Sequence, residues 1–211
     1  MQNQVKLLIA THNPSKVKRY QNELAGSLDK IELISLGDLD FKIETPEEIG
    51  ESTLEIVKNK VKFYFEKTGT PCFSSDSGLY FPNLPWELQP KQNVKGIAGA
   101  GDQMSVDEIY EKMIEFYSNL ATEFGQNGEL EGYFLDSFCV FDGEHYFCSE
   151  VKRSITLTDR INKKDVNFPI CSLYKVKGKY YHDLTTTEMK EFLQESSKAL
   201  KNIIQNWSNT L

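Results

Sequence analysis

The chain has 211 residues, of which 39% are hydrophobic and 12% aromatic, enough for one domain or one elongated domain with two lobes and a sizeable core. Its 24 basic and 31 acidic residues give a net charge of -7, which argues against partners held by general electrostatic attraction, namely nucleic acid polymers and acidic membranes. An anionic ligand must therefore be held by local groups.

The opening MQNQVKLLIA has too short an apolar run for a signal peptide, and no stretch approaches the roughly 18 to 20 apolar residues of a membrane span. A cytoplasmic, soluble protein is expected. Val5 to Thr11 reads as a buried strand, and Asn13 can cap a helix that Pro14 begins, since the first turn has no use for the amide hydrogen that Pro lacks. Val17, Tyr20, Leu24 and Leu28 give that helix one apolar face. A second strand follows at Ile31 to Leu36. Ser52 starts a helix with Leu54, Val57, Val61, Tyr64 and Phe65 at helical spacing, stopped by Gly69 before Pro71.

Pro71 to Ser75 reads as a short strand that delivers Asp76, Ser77 and Gly78 at its end. Residues 82 to 103, rich in Pro, Gly, Gln and Asn, read as an irregular excursion. Ser105 with Glu108 forms a capping-box pattern before a helix carrying Ile109, Met113, Phe116 and Leu120. Antiparallel strands are expected at 132 to 142, 145 to 157 and 172 to 181, with turns at Asp142-Gly143 and Lys177-Gly178. The last helix begins near Thr187 and carries the stripe Met189, Phe192, Leu193, Leu200, Ile203, Ile204 and Trp207. Early alternation of strand and helix with late hairpins predicts an α/β fold: a mixed, twisted central sheet flanked by helices. Cys72, Cys139, Cys148 and Cys171 contain no CxxC pair and read as free core thiols.

Three segments lie where open α/β sheets bind ligands, beyond strand ends. Around Asn13-Pro14, free helix amides and the Lys16 ammonium suit an anion, although an ordinary capped helix with a solvated Lys has the same spacing. The loop Glu44-Thr-Pro-Glu-Glu-Ile-Gly-Glu51 offers hard oxygen ligands for Mg²⁺, and a solvated acidic loop favourable to the helix dipole is equally good physics. Phe73-Ser-Ser-Asp-Ser-Gly-Leu79 places a carboxylate beside amides that a turn Gly leaves accessible, or else forms a plain Asx turn. Together they compose a polyphosphate site: lysine and amides for its oxygens, carboxylates for a bridging metal, one carboxylate to orient water.

The stretch TxNxxK at Thr11, Asn13 and Lys16, ExGxS at Glu48 to Ser52, Lys60, TGxP at Thr68 to Pro71 and SDSGL at Ser75 to Leu79 resembles the inosine/xanthosine triphosphate pyrophosphatase family. A weaker trace continues through Lys190 and Lys198-Ala-Leu200. The resemblance implies a homodimer with a long twisted mixed sheet between two lobes flanking a cleft. It also implies Mg²⁺-dependent hydrolysis of a nucleoside triphosphate to monophosphate and pyrophosphate. Carried over, Lys16 contacts the phosphates with Thr11 and Asn13 near it. Glu48 and Asp76 hold the metal, Asp76 is also the candidate general base, and Ser77 and Lys60 line the phosphate site.

Departures accompany the match. Arg19 stands where the family usually has a Glu, and Ser75-Asp76 replaces two adjacent Asp residues. Asp165-Val-Asn-Phe-Pro169 and Gln194-Glu-Ser196 replace the Phe-Gly-Tyr-Asp-Pro and Ser-His-Arg segments that read the purine, and Ile97-Ala98-Gly99 replaces Ser-Ala-Arg. Glu195 is an acceptor where the family presents donors to a 6-keto base, and such a pocket repels that keto oxygen. Phe168 is a candidate for stacking on the base, and core packing is its alternative. The expectation is a pyrophosphatase of altered or relaxed base preference; the alternative is a catalytically impaired nucleotide-binding protein of the same fold.

Overall fold

A computed structural model describes residues 4–26 and 30–211. Leu28, expected on the first apolar face, lies outside the described residues. The described residues form a mixed, open seven-stranded sheet with four helices: β1 (Val5–Ile9), α1 (Pro14–Leu24), β2 (Ile31–Ser35), α2 (Thr53–Thr68), β3 (Cys72–Tyr80), α3 (Val106–Phe124), β4 (Glu129–Phe141), β5 (Tyr146–Thr158), β6 (Tyr174–Val176), β7 (Lys179–Tyr180) and α4 (Thr186–Ser208). The strand order is β2-β1-β3-β4-β5-β6-β7. β1 runs parallel to β2 and β3, while β6 is antiparallel to β5 and β7. Among the described residues, no helix is long and apolar enough to cross a membrane.

Two compact units divide the chain, one running to Asp76 and including Asp136–Val151 and Ser196–Leu211, the other made of Ser77–Leu135 and Lys152–Glu195. The first unit shows how the period-2 pattern of a strand makes two cores. Leu7 and Ile9 of β1 pack with Tyr20 and Leu24 of α1 and with Leu200, Ile204 and Trp207 of α4. Leu8 and Ala10 point the other way, to Val57, Val61 and Tyr64 of α2. A sheet covered on both faces explains why β1 reads as continuously apolar. The second unit has its own core, in which Met113, Tyr117 and Leu120 of α3 meet Leu130 and Phe134 of β4 and Leu157 of β5.

Local signals act as expected at the helix ends. Asn13 Oδ1 accepts from the amides of Ser15 and Lys16 at 2.9 and 3.3 Å. Ser52 caps α2 through Glu55 N, and Gly69, at φ +62°, ends it in the left-handed conformation that favours glycine. Residues 82 to 103 are irregular apart from two short 3-10 turns.

Two expectations are corrected. Asp76, Ser77 and Gly78 are not a turn at a strand end but the middle of β3, whose far end is held by a bridge between Leu79 and Lys91. Cys139 and Cys148 are not free thiols: they form a disulfide between β4 and β5, their Cα atoms 4.1 Å apart. The Asp142-Gly143 turn brings the two strands alongside, which places these cysteines within bridging distance. Cys72 and Cys171 are free and buried, and burial pushes both thiols up to about 12.

Candidate functional site

The first unit carries a concavity of about 250 Å³ lined by the turn after β1, the loop before α2, the inner face of α2 and the middle of β3. Thr11, Asn13, Lys16, Glu48, Lys60 and Asp76, six of the residues singled out from sequence, all line it. Their elements explain the convergence. β1 and β3 are parallel neighbours, so the turn that follows β1 arrives beside Asp76, and α2 presents Lys60 one helical turn before Tyr64.

Lys60 is the hub. Its ammonium lies 2.5 Å from Glu48 Oε1 and 3.8 Å from Asp76 Oδ1; the Lys60 and Asp76 side chains are each 13% exposed, whereas that of Glu48 is 53% exposed. Lys16 Nζ donates to the Ser75 carbonyl at 3.3 Å. Burial pulls the Lys16 ammonium below the usual lysine value, Asp76 and Glu48 oppose that shift, and Lys60 and Arg19 reinforce it. A group in this position gains from an incoming anion. Ser74 Oγ donates to the Ala10 carbonyl at 2.9 Å and ties β3 to the end of β1.

Glu48 and Asp76 both reach the one ammonium of Lys60, so a cation placed between them meets two hard oxygen donors. This donor set fits Mg²⁺, which takes one or two carboxylates and completes its shell with water and substrate phosphate. Among the described residues no cluster of three or more His, Cys, Asp or Glu side chains forms a closed metal cage.

The remaining predicted residues lie elsewhere. Ser77 follows Asp76 in β3, is exposed, and opens the second unit. Phe168, Lys190 and Glu195 all belong to the second unit. Phe168 is 53% exposed and follows an Asx turn in which Asp165 Oδ1 accepts from the amides of Asn167 and Phe168. Glu195 lines a separate concavity of about 680 Å³ whose charged lining is mixed, with Lys152, Arg153 and Lys177 beside Glu131 and Glu191; Lys190 and Phe168 are not in its lining.

Sequence reasoning missed Thr45, Pro46, Tyr64 and Ser74 as lining residues. It also missed the polar role of Tyr20, which helical spacing assigns to the core. The ring of Tyr20 is indeed 1% exposed, but its hydroxyl bonds Ser75 Oγ.

Known proteins resemble this chain in sequence and in fold. The Ham1 family profile matches residues 7–205. A dITP/XTP pyrophosphatase of Thermoanaerobacter sp. (strain X514) is 26% identical over 199 residues, covering 93% of this chain and 94% of its own. One of Dictyoglomus thermophilum is 37% identical over 82 residues, 39% of each chain. A HAM1 protein from Coxiella burnetii superposes with a TM-score of 0.75 at 17% identity over 96% of this chain and 99% of its own, a likeness of fold. The nucleoside-triphosphatase / dITP/XTP pyrophosphatase of Mycobacterium abscessus gives 0.70 at 19% identity over 94% and 98%. With nearly its whole length matched and the motif residues gathered in one concavity, the chain belongs to the Ham1 family.

Proposed function

We propose that the chain is a Mg²⁺-dependent nucleoside triphosphate pyrophosphatase, acting as one domain over its whole length and yielding nucleoside monophosphate and pyrophosphate. The observation that carries the reading is the convergence of Lys16, Lys60, Glu48 and Asp76 on one concavity of the first unit. Membership of a family with relatives named dITP/XTP pyrophosphatase supports it.

In this reading Lys16 and Lys60 bind the phosphate oxygens, and Thr11 and Asn13 hold the turn: Thr11 Oγ1 accepts from Asn13 N at 3.2 Å. The Ser15 and Lys16 amides are taken by the Asn13 cap, so the first turn of α1 contributes its dipole to the anion and no free amide. Glu48 and Asp76 would hold Mg²⁺, which neutralises charge on the phosphate chain. Asp76 takes a proton from the attacking water as its oxygen bonds the α-phosphorus; the bond from that phosphorus to the bridging oxygen breaks, and pyrophosphate leaves with the electron pair. Phosphoryl chemistry of this kind needs positioning and charge compensation more than covalent catalysis. The resemblance assigns further contacts to Ser77 with the phosphates, and to Phe168, Lys190 and Glu195 with the base. Because the base-reading segments are rewritten, base preference is altered or relaxed. The protein is expected to be a homodimer and cytoplasmic.

A second reading, a nucleotide-binding protein without turnover, is favoured by Arg19 and Ser75, which stand where the family usually has carboxylates. Pyrophosphate release from a panel of purine and pyrimidine triphosphates, with and without Mg²⁺, separates the two. Turnover lost in Asp76→Asn supports the enzyme, and unchanged turnover in that variant refutes the role of Asp76. Tight binding without product from any triphosphate establishes the second reading.

A further inference from the structure

The first unit carries a second concavity, about 640 Å³, for which the reaction above has no use. It lies beyond the ends of the parallel neighbours β1 and β2, where open α/β sheets hold ligands. Pro14, Val17, Lys18 and Gln21 line it, and their spacing of three and four residues is a single stripe of α1, so this helix turns one face to the groove. The segment after β2 adds Leu36 and Ile43. Val17, Leu36 and Ile43 are half-buried: each packs against one of the unit's two cores and also lines the groove, which leaves apolar surface open to a ligand.

Charge and continuity say what the groove can take. No Asp or Glu lines it, whereas Lys18 and Lys42 do, and among the described residues neither lysine is in an ion pair. Asp38, just past Gly37, is engaged by the amide and hydroxyl of Ser35, each at 2.7 Å. In a chain of net charge -7 this lining favours an anion locally. A bare phosphate gains nothing from the apolar walls, however, and a ring with a hydrophobic face does. Thr11 and His12 line both this groove and the phosphate concavity, so one ligand can pass over the β1–α1 turn from the first to the second. With the α-phosphorus at Asp76 and phosphate oxygens at Lys16, the far end of the phosphate chain is the part that reaches this turn.

We propose that the groove receives a second nucleoside, carried on the far end of the phosphate chain, so that dinucleoside polyphosphates are substrates. A volume of about 640 Å³ falls within the range of small-molecule sites, roughly 300–1,000 Å³, and has room for a base and its ribose. The apolar walls meet the base, and Lys18 and Lys42 meet the last phosphates. The step is that of the proposed reaction with another leaving group. The water oxygen bonds the α-phosphorus and Asp76 takes the proton. The bond from that phosphorus to the bridging oxygen breaks, and from a dinucleoside tetraphosphate a nucleoside triphosphate leaves with the electron pair, with nucleoside monophosphate as the other product.

The inference rests on the phosphate-site reading above, and its first test needs no turnover. Diadenosine tetraphosphate and adenosine 5′-tetraphosphate differ by the second nucleoside alone. Each is titrated calorimetrically into the purified full chain in Mg²⁺-free buffer, with the guanosine and uridine pairs alongside. The dinucleotide should bind about tenfold more tightly, the effect of taking roughly 55 Å² of apolar surface out of water. It carries the smaller negative charge, so a groove acting by charge alone ranks the two the other way. Gln21→Trp, at an exposed position of α1, fills the groove and should erase the difference while leaving the affinity for inorganic triphosphate within about twofold; Gln21→Ala should keep the difference. With Mg²⁺, in a series whose triphosphate is hydrolysed, the dinucleoside tetraphosphate should yield nucleoside monophosphate and triphosphate. Equal affinities within all pairs, a difference that survives Gln21→Trp, or a dinucleotide left uncleaved beside a hydrolysed triphosphate each overturn the inference. The comparison of the wild-type pairs decides by itself should Gln21→Trp not fold. Absence of all hydrolysis with the binding difference present and lost in Gln21→Trp refutes the pyrophosphatase reading and leaves the groove a nucleoside site.

Discussion

Removing the charge of Lys60 exposes what Glu48 and Asp76 are arranged to hold. Lys60→Met keeps the length of the side chain and deletes the ammonium that lies 2.5 Å from Glu48 and 3.8 Å from Asp76. Breaking a buried pair by deleting one partner costs about 3–5 kcal/mol, most of it the uncompensated charge left behind. Glu48 is 53% exposed, so water takes up much of its charge, and the penalty concentrates on Asp76, whose side chain is 13% exposed. The discounted loss is about 2 kcal/mol, or about 4–8 °C in Tm for a chain of this size. Thermal melts at matched ionic strength, with and without Mg²⁺, check it. A cation that binds the native carboxylates stabilises by mass action, about 2.7 kcal/mol at a hundred times Kd. Mg²⁺ should therefore raise the Tm of Lys60→Met by more than that of the wild type. Equal shifts in the two proteins would refute the claim that Glu48 and Asp76 share one cation position.

Lys16 predicts a pH dependence. Burial lowers its folded pKa below 10.5, so the cost of keeping the ammonium in the folded protein is present below that folded pKa and is relieved as pH rises through it. Stability from this group rises with pH in the window just below 10.5, while affinity for phosphate falls as the charge is lost. KM for a hydrolysed triphosphate should climb in that window in the wild type and stay flat in Lys16→Arg; parallel profiles would remove Lys16 from the phosphate contacts. For the disulfide, the nine-residue separation of Cys139 and Cys148 corresponds to about 2–3 kcal/mol of loop-closure stabilisation. Urea unfolding of the double Cys→Ser variant should show that loss, and thiol titration of the unreduced, denatured chain should find Cys72 and Cys171 alone.

Much of this fold was legible because its signals are local. Asn13 before Pro14, Ser52 before Thr53, Gly69 before Pro71 and Ser105 with Glu108 each act through bonds within one helical turn, so spacing along the chain is spacing in space. The errors share the opposite property. Asp-Ser-Gly at 76 to 78 carries turn chemistry, yet pairing keeps it extended: β3 aligns with β1 near its start and is bridged by Lys91 near its end. Cys139 and Cys148 gave a readable cue, the hairpin turn midway between them, but bridging depends on the register of the two strands. Tyr20 shows the limit of periodicity, which registers a ring on an apolar face and cannot register a hydroxyl whose partner is 55 positions away.

The electrostatics of the concavity follow from the same contrast between chain and site. The chain carries a net charge of -7, so distant charges oppose any polyphosphate, and binding must come from groups close enough to outweigh that field. Lys16 and Lys60 face two carboxylates, Glu48 and Asp76, so these four charges balance and leave nothing over to offset the field of the whole chain. Without a metal, Glu48 and Asp76 engage the ammonium of Lys60 themselves. A cation between the two carboxylates would free that ammonium to meet a phosphate oxygen. Inorganic triphosphate should accordingly bind more weakly without Mg²⁺ than with it in calorimetric titrations at matched ionic strength, and equal affinity would refute this account of the site.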